Sequence, residues 1–260
     1  MGNLQKYRLN LSKKLALVTG ASGGLGAHFA RTLSEAGATV ILAARRLDRL
    51  KALETELVEA GGKAFSVAMD VTSPQSVDGA FAAISAEFGR PADIIVNNSG
   101  IGQASWFHET PEDEWQSVIE TNLNGVWRVA KAATNALIAA GQPGSIVNIA
   151  SITAQKPAMM NVAYSASKAA VDHMTRNMAV EAARHRIRVN AIAPGYYKTD
   201  INADYLESEA GARMAKRVPM RRFGDYQELD GALVLLASDA ASYMTGTTIT
   251  VDGGHTLSPL

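Results

Sequence analysis

The strongest constraint on this chain is an alternation. Short runs that are apolar on both faces are each followed by a longer stretch with apolar residues at helical spacing. The runs are "KLALVTG" (14–20), "ATVILAA", "AFSVAMDV", "DIIVNNSG", "GSIVNIAS", "IRVNAIAPG" and "TTITVDGG". A strand apolar on both faces must be covered on both, which points to a parallel sheet with helical crossovers. After the first run, Leu25, Phe29, Ala30, Leu33 and Ala36 keep a helical period. After the second, Leu47, Leu50, Leu53, Leu57 and Val58 do the same, and Gly61 and Gly62 close the stretch. Pro74 opens a further helix near its first turn. Longer helical patterns cover about 112–140 and 162–184, and "DYQELDGALVLLAS" is a late helix. Right-handed crossovers then predict an α/β fold, a doubly wound parallel sheet of about seven strands with helices on both faces. The 260 residues contain no linker, low-complexity tract or repeat, so a single domain over 1–260 is expected.

Bulk chemistry narrows the function. Lys plus Arg equals Asp plus Glu, at 25 each, which gives no electrostatic reason to expect a nucleic-acid or membrane partner. Cysteine is absent, excluding disulfides, thiolate catalysis and Cys-ligated metals. The opening "MGNLQKYRLNLSKK" lacks the apolar core of a signal peptide, and no apolar run reaches about 20 residues. A cytoplasmic protein is expected.

In a doubly wound sheet, ligands bind beyond the carboxyl ends of the strands. That brings "TGASGGLG", "ARR", "DVT", "NNSG", "AS" and "APG" to one cleft. The glycines of "TGASGGLG", Gly20, Gly24 and Gly26, stand between the first strand and the first helix. Glycine admits positive φ and lets backbone approach a ligand closely. The following helix offers free N–H groups to a pyrophosphate. Leu25 completes this expected phosphate loop, and the Ser22 hydroxyl beside it is available to a further phosphate.

"YSASK" puts Tyr164 and Lys168 four residues apart, on one face of a helix. A phenol has a pKa near 10, too high for easy proton exchange at neutral pH. A neighbouring ammonium stabilises phenolate and lowers that value. Such a pair suits proton transfer to a substrate oxygen. Ser151 ends the fifth strand, with a hydroxyl able to bond a carbonyl oxygen. Asn122, in "TNLNG", is a polar residue inside the long helix, expected to support Lys168 through water.

With these elements in order, the chain resembles the short-chain dehydrogenase/reductases, of the 3-oxoacyl and carbonyl reductase type, over nearly its whole length. The resemblance rests on "TGASGGLG", "NNSG", the Asn122 of "TNLNG", Ser151, "YSASK", "APGYYKT" and "VDGG". It departs from the usual pattern at Ser99, where alanine is common, and at Ala150, where serine is frequent. The resemblance implies a single Rossmann-type domain and a nicotinamide cofactor. It implies Tyr164 as general acid/base, Lys168 lowering its pKa and binding ribose hydroxyls, Ser151 orienting the substrate and Asn122 maintaining a proton relay. It also implies adenine contacts at Asp70 and Val71, with Asn98, Ser99 and Gly100 along the adenosine side and ribose. Pro194, Gly195 and Thr199 should border the nicotinamide.

Cofactor choice is read from "VILAARRLDRL". An NAD enzyme commonly ends this strand with Asp or Glu, to accept from the ribose 2′-hydroxyl. Here the position is Ala44, followed by Arg45 and Arg46. A helix start disfavours positive charge, whereas guanidinium binds phosphate well. NADP(H) is therefore expected over NAD(H), with Arg45 the first candidate for the 2′-phosphate. No metal is expected, since the five histidines are scattered and packing or surface roles suit them better.

The substrate wall should draw on 103–107, 153–161 and a loop or lid over about 196–219. Trp106, Thr153, Met159, Tyr196 and Tyr197 are its candidates. No basic cluster is clearly dedicated to coenzyme A or an acyl-carrier phosphate, though Arg213, Lys216, Arg217, Arg221 and Arg222 keep such a site open. The helix over 162–184 is small or apolar around much of its girth, which suggests a subunit contact and, by resemblance, a homotetramer or homodimer. The expected activity is NADPH-dependent reduction of a ketone or 3-oxoacyl carbonyl to a secondary alcohol. The alternatives are oxidation of a sugar, polyol or steroid alcohol, and a non-catalytic nucleotide sensor.

Overall fold

The computed structural model describes residues 8–197 and 208–257. Its centre is a seven-stranded sheet in the order β3-β2-β1-β4-β5-β6-β7, every pair parallel. The strands are β1 (Leu15–Thr19), β2 (Thr39–Ala44), β3 (Lys63–Ala68), β4 (Ile94–Asn97), β5 (Gly144–Ile149), β6 (Ile187–Pro194) and β7 (Thr248–Val251). Between β1 and β4 the winding reverses direction, and the crevice opened there lies above both strand ends.

Strand alternation divides the core into two layers. Ala16, Val18, Val40 and Leu42 face one side and meet Phe29 and Leu33 of α1 (Gly24–Glu35), Leu50 and Leu53 of α2 (Leu47–Glu59) and Leu233 and Leu236 of α8 (Asp230–Ala237). Leu15, Leu17, Ile41 and Ile95 face the other. They meet Val77 and Ile84 of α3 (Pro74–Phe88), Val129 and Leu137 of α5 (Gly125–Ala139) and Ala179 of α6 (Val162–Ala182). This is the two-sided cover that strands apolar on both faces require.

Local signals set the boundaries. Pro74 opens α3, and the Ser73 hydroxyl before it accepts from Ser76 N. Gly89 closes α3 with φ 65°. β3 ends at Ala68, short of the run "AFSVAMDV", because Asp70 turns the chain: its Oδ1 accepts from Thr72 N at 3.0 Å and Thr72 Oγ1 at 2.8 Å.

The stretch over 112–140 is not the continuous α-helix its period predicts. It is α4 (Glu112–Ile119), a π-turn (Glu120–Asn124) and then α5. Within the turn, Gly125 N donates to Glu120 O, one residue further back than an α-helix allows. A short helix, α7 (Glu209–Ala215), follows the "APGYYKT" region, capped by the Ser208 hydroxyl. Among the described residues no helix is long and apolar enough to cross a membrane.

Candidate active site

Above β1, the glycine loop is locked by its neighbours. Gly20 takes φ 68°, which side chains disfavour, and a Cβ there would lie 3.0 Å from the Ser99 Cα. At Gly26 a Cβ would lie 2.2 Å from the Gly20 carbonyl oxygen, so the first turn of α1 packs directly on the loop. Gly23, the residue before α1, offers no side-chain cap, and the first turn holds no acid. The α1 N–H groups and dipole thus face the crevice without an internal anion. Leu25 sits half-buried against the core.

Thr19, which the sequence reading did not single out, ties this loop to β4. Its Oγ1 accepts from Asn98 N at 3.0 Å and Ser99 N at 3.1 Å. Asn98 Nδ2 donates to the Thr19 carbonyl at 3.1 Å. A hydroxyl at the end of a strand, just before the glycines, was the available signal. Ser99 is accommodated without altering that arrangement.

At the end of β2, Ala44 is buried and neutral. Arg46 precedes α2 in an extended conformation, and its Nη2 donates to Ser22 Oγ at 3.2 Å. Arg45 acts instead on Asp70. Burial works to raise the Asp70 carboxyl, but the Thr72 hydrogen bonds and the Arg45 charge outweigh it and hold it below its ordinary value. Both guanidiniums therefore border the crevice beyond the end of β2, with Arg46, not Arg45, against the glycine loop. Val71 is buried beside Asp70, and its carbonyl accepts from Arg128 Nη1 at 3.2 Å.

The four proton-handling candidates converge at the ends of β4 and β5 and the start of α6. Asn122 is fully buried in the π-turn. Its Oδ1 accepts from Ile101 N at 2.8 Å, and its Nδ2 donates to Ile101 O at 2.9 Å and Ser167 Oγ at 3.3 Å. Asn122 thereby clamps the chain just past Gly100 and links it to α6. Lys168 is 4% exposed; its Nζ donates to the Ile149 carbonyl at 2.7 Å and lies 5.5 Å from the centre of the Tyr164 ring. Burial lowers this ammonium from 10.5 to about 8.

Ser151 is buried and opens a short 3₁₀ turn (Ile152–Ala154), its hydroxyl accepting from Thr153 N at 3.2 Å and Thr153 Oγ1 at 3.1 Å. The Ser151 hydroxyl also acts on the titration of the Tyr164 phenol. Burial pushes that phenol above its ordinary value, the Ser151 hydroxyl pulls it back, and nearby Tyr196 pushes it up again. The lysine-lowered phenol of the sequence reading is not what the chain alone provides. Lys168 stands over the ring face with its ammonium turned to Ile149, rather than against the hydroxyl.

On the substrate side, Trp106 is half-exposed and Met159 almost fully exposed. Tyr196 stacks at a tilt 5.4 Å from the His255 ring. Tyr197, the other expected wall residue here, is 5% exposed and its hydroxyl donates to Val251 O at 2.9 Å. With Tyr196 it borders a cavity of about 350 Å³, lined also by Val218, Met220, Arg222 and Asp252 but by neither Ser151 nor Tyr164. Pro194 ends β6, and Gly195 follows it, its N donating to Val251 O at 2.9 Å. Thr199 and much of the expected lid lie outside the described residues. Of the basic cluster, Arg222 pairs with Glu228 at 2.6 Å and Arg213 with Glu209 at 3.5 Å, so those two charges are answered within the chain.

A doubly wound parallel sheet, an open glycine-lined helix start and the cluster of Ser151, Tyr164, Lys168 and Asn122 suit a nicotinamide-dependent oxidoreductase. Comparison with known proteins agrees. Residues 20–256 match the family described as enoyl-(acyl carrier protein) reductase. The 5-keto-D-gluconate 5-reductase of Escherichia coli K12 is 38% identical over 246 residues, covering 94% of this chain and 96% of that protein. The 3beta-hydroxysteroid dehydrogenase 1 of Eggerthella lenta is 42% identical over 253 residues, covering 96% of each. Among solved structures, a gluconate 5-dehydrogenase from Burkholderia cenocepacia J2315, in complex with NADP and tartrate, superposes with a TM-score of 0.93 at 34% identity, covering 97% of this chain and 98% of that one. The chain belongs to the short-chain dehydrogenase/reductase family.

Proposed function

We propose that this protein reduces a ketone to a secondary alcohol with NADPH, using Ser151, Tyr164, Lys168 and Asn122. The observation that carries this reading is the convergence of those four side chains beside the crevice between β1 and β4. The crevice suits the cofactor in three respects: an uncapped α1 N-terminus for the pyrophosphate, a neutral Ala44, and Arg45 with Arg46 for a 2′-phosphate. Gly20, Ser22, Gly24, Leu25 and Gly26 would line the phosphates, Asp70 and Val71 the adenine, and Asn98, Ser99 and Gly100 the ribose. Pro194, Gly195 and Thr199 would border the nicotinamide. When bound, NADPH supplies the hydride.

The chain's own residues handle the rest. The Ser151 hydroxyl donates to the substrate oxygen and holds it against Tyr164. The Tyr164 phenol gives its proton to that oxygen as alkoxide character develops. Lys168 supplies the positive charge that stabilises the resulting phenolate, and Asn122 fixes the Ile101 backbone and Ser167 around it. Trp106, Thr153, Met159 and Tyr196 form the substrate wall, with a lid over about 196–219 in one 260-residue domain. The NADP-bound gluconate 5-dehydrogenase and the keto-gluconate reductase favour polar hydroxy-ketones among the substrates. The half-exposed Trp127 on α5 and largely exposed Val180 on α6 support a homotetramer built on these helices. The cytoplasm, where NADPH is kept reduced, is the expected compartment.

The test is NADPH oxidation across keto-acids, simple ketones and 3-oxoacyl thioesters, with Tyr164→Phe beside the parent. A reductase loses turnover in the variant by about a hundredfold or more while still binding cofactor. A parent that binds NADPH yet turns over none of these carbonyls leaves the nucleotide-sensor reading standing and overturns this one.

A further inference from the structure

Helix α6 carries Tyr164 at its third position but has no cap of its own. Asn161, the residue before it, makes no side-chain bond to the helix. The first intrahelical bond runs from Ser165 N to Asn161 O at 2.8 Å, so the preceding N–H groups need outside acceptors. One side chain supplies them. Gln103, about 60 residues earlier in the chain, accepts from Ala163 N at 2.7 Å and Tyr164 N at 3.4 Å through its Oε1.

The other half of the amide is fixed just as firmly. Gln103 Nε2 donates to Ser105 Oγ at 3.0 Å and Thr110 Oγ1 at 2.9 Å. The Ser105 hydroxyl is committed as a donor to Glu114 Oε2 at 2.8 Å, and that of Thr110 to Trp106 O at 2.9 Å. A carboxylate and a carbonyl only accept, so both hydroxyls must present lone pairs to Gln103. The amide therefore has one satisfied orientation, with its oxygen toward α6. Residue by residue, the chain runs from α4 through Glu114, Ser105 and Gln103 to the backbone of Tyr164.

We propose that Gln103 is a positioning residue for the reaction: it caps α6 in trans and holds the Tyr164 backbone, so that the phenol meets the oxygen presented by Ser151. This inference rests on the proposed reductase reading but concerns a residue which that reading does not use. Because Trp106 and Thr110 belong to the same network, the cap also couples the Trp106 loop to the helix that carries the proton donor.

The experiment compares Gln103→Met and Gln103→Glu with the parent. Methionine keeps the length and removes the acceptor; glutamate restores an acceptor for the same N–H groups, and a negative charge suits a helix start. Three readouts are taken: kcat and KM for the best carbonyl, NADPH affinity by fluorescence, and amide hydrogen exchange at Ala163 and Tyr164. The expected result for Gln103→Met is a kcat lowered by about tenfold to a hundredfold with NADPH affinity unchanged, as slight misplacement of a reacting group costs rate. Exchange at the two amides should accelerate. Gln103→Glu should recover most of the kcat and most of the protection. Unaltered exchange in Gln103→Met, equal loss in both variants, or a parallel loss of NADPH affinity would each overturn the proposal. The exchange measurement needs no turnover, so a parent inactive on every carbonyl sinks the reductase reading while the cap is still tested.

Discussion

Replacing Lys168 by methionine is expected to make the protein more stable and catalytically inert. Lys168 is 4% exposed, and burial lowers its ammonium from 10.5 to about 8. An unfolded chain keeps that proton up to the ordinary value. Between about pH 8 and 10.5 the unfolded state thus binds more protons than the folded one, and the Lys168 contribution to stability rises with pH. Below about pH 8 both states are protonated and the full cost of burying the charge is felt. At about 1.36 kcal/mol per pKa unit, that cost is roughly 3 kcal/mol. Methionine removes it but leaves the Ile149 carbonyl without its 2.7 Å partner. A buried acceptor so orphaned costs about 1 kcal/mol or more. The net gain near neutral pH is then about 2 kcal/mol, or a Tm higher by roughly 4–8 °C for a chain of this size.

The assay is urea unfolding followed by circular dichroism, parent against Lys168→Met, near neutral pH and again near pH 10.5. The variant should unfold at higher urea near neutral pH. The gap should close and then reverse as the parent sheds its proton, because a neutral amine still donates to Ile149. NADPH turnover should fall by about a hundredfold or more in the same protein, since the charge beside the phenol is gone. A variant less stable than the parent near neutral pH, or a difference that does not change with pH, refutes the reasoning.

Further outcomes follow from the crevice. Arg46→Ala should raise KM for NADPH by about tenfold to a hundredfold, the worth of a charge-assisted hydrogen bond, and leave KM for NADH nearly untouched; Arg45→Ala should do less, and steady-state kinetics with both cofactors decide the order. Gly26→Ala should abolish cofactor binding in a fluorescence titration, because the new Cβ would meet the Gly20 carbonyl oxygen at 2.2 Å, where only backbone can give way. Thr19→Val should weaken cofactor binding while leaving the fold intact by circular dichroism, since it removes the acceptor for Asn98 N and Ser99 N but fills nearly the same volume.

Most of the sheet was legible because β1, β2, β4, β5 and β6 bury both faces, and a run apolar on both faces has few other uses. The glycine loop and the Tyr164–Lys168 pair were legible because their chemistry is carried by short local spacings. What escaped depends on contacts distant in sequence or on backbone details that leave the hydrophobic period almost unchanged. The π-turn is of the second kind: one slipped hydrogen bond hardly disturbs apolar spacing. The reading put Arg45 ahead of Arg46, and the structure adds an extended Arg46, with φ −93° and ψ 91°, whose side chain reaches Ser22. Tyr196 and Tyr197 look alike in the sequence, yet one faces His255 near the phenol and the other spends its hydroxyl on Val251. Gln103 fell in a segment expected to line the substrate, but its capping role left no local sign, since a cap supplied from about 60 residues away leaves no spacing to read.

The π-turn also bears on how this chain can change length. A π-turn is an α-helix with one residue too many, and each residue of an α-helix turns by about 100°. Deleting any single residue within 120–124 would let the ladder close as ordinary α-helix and rotate α4 by about that angle relative to α5. Asn122 would swing off Ile101, and Glu114 would swing off Ser105. Substitutions at the outward positions of the turn leave the slipped ladder intact, whereas a one-residue gap undoes both ends of the site together. Away from Asn122, length more than identity is what this segment must keep.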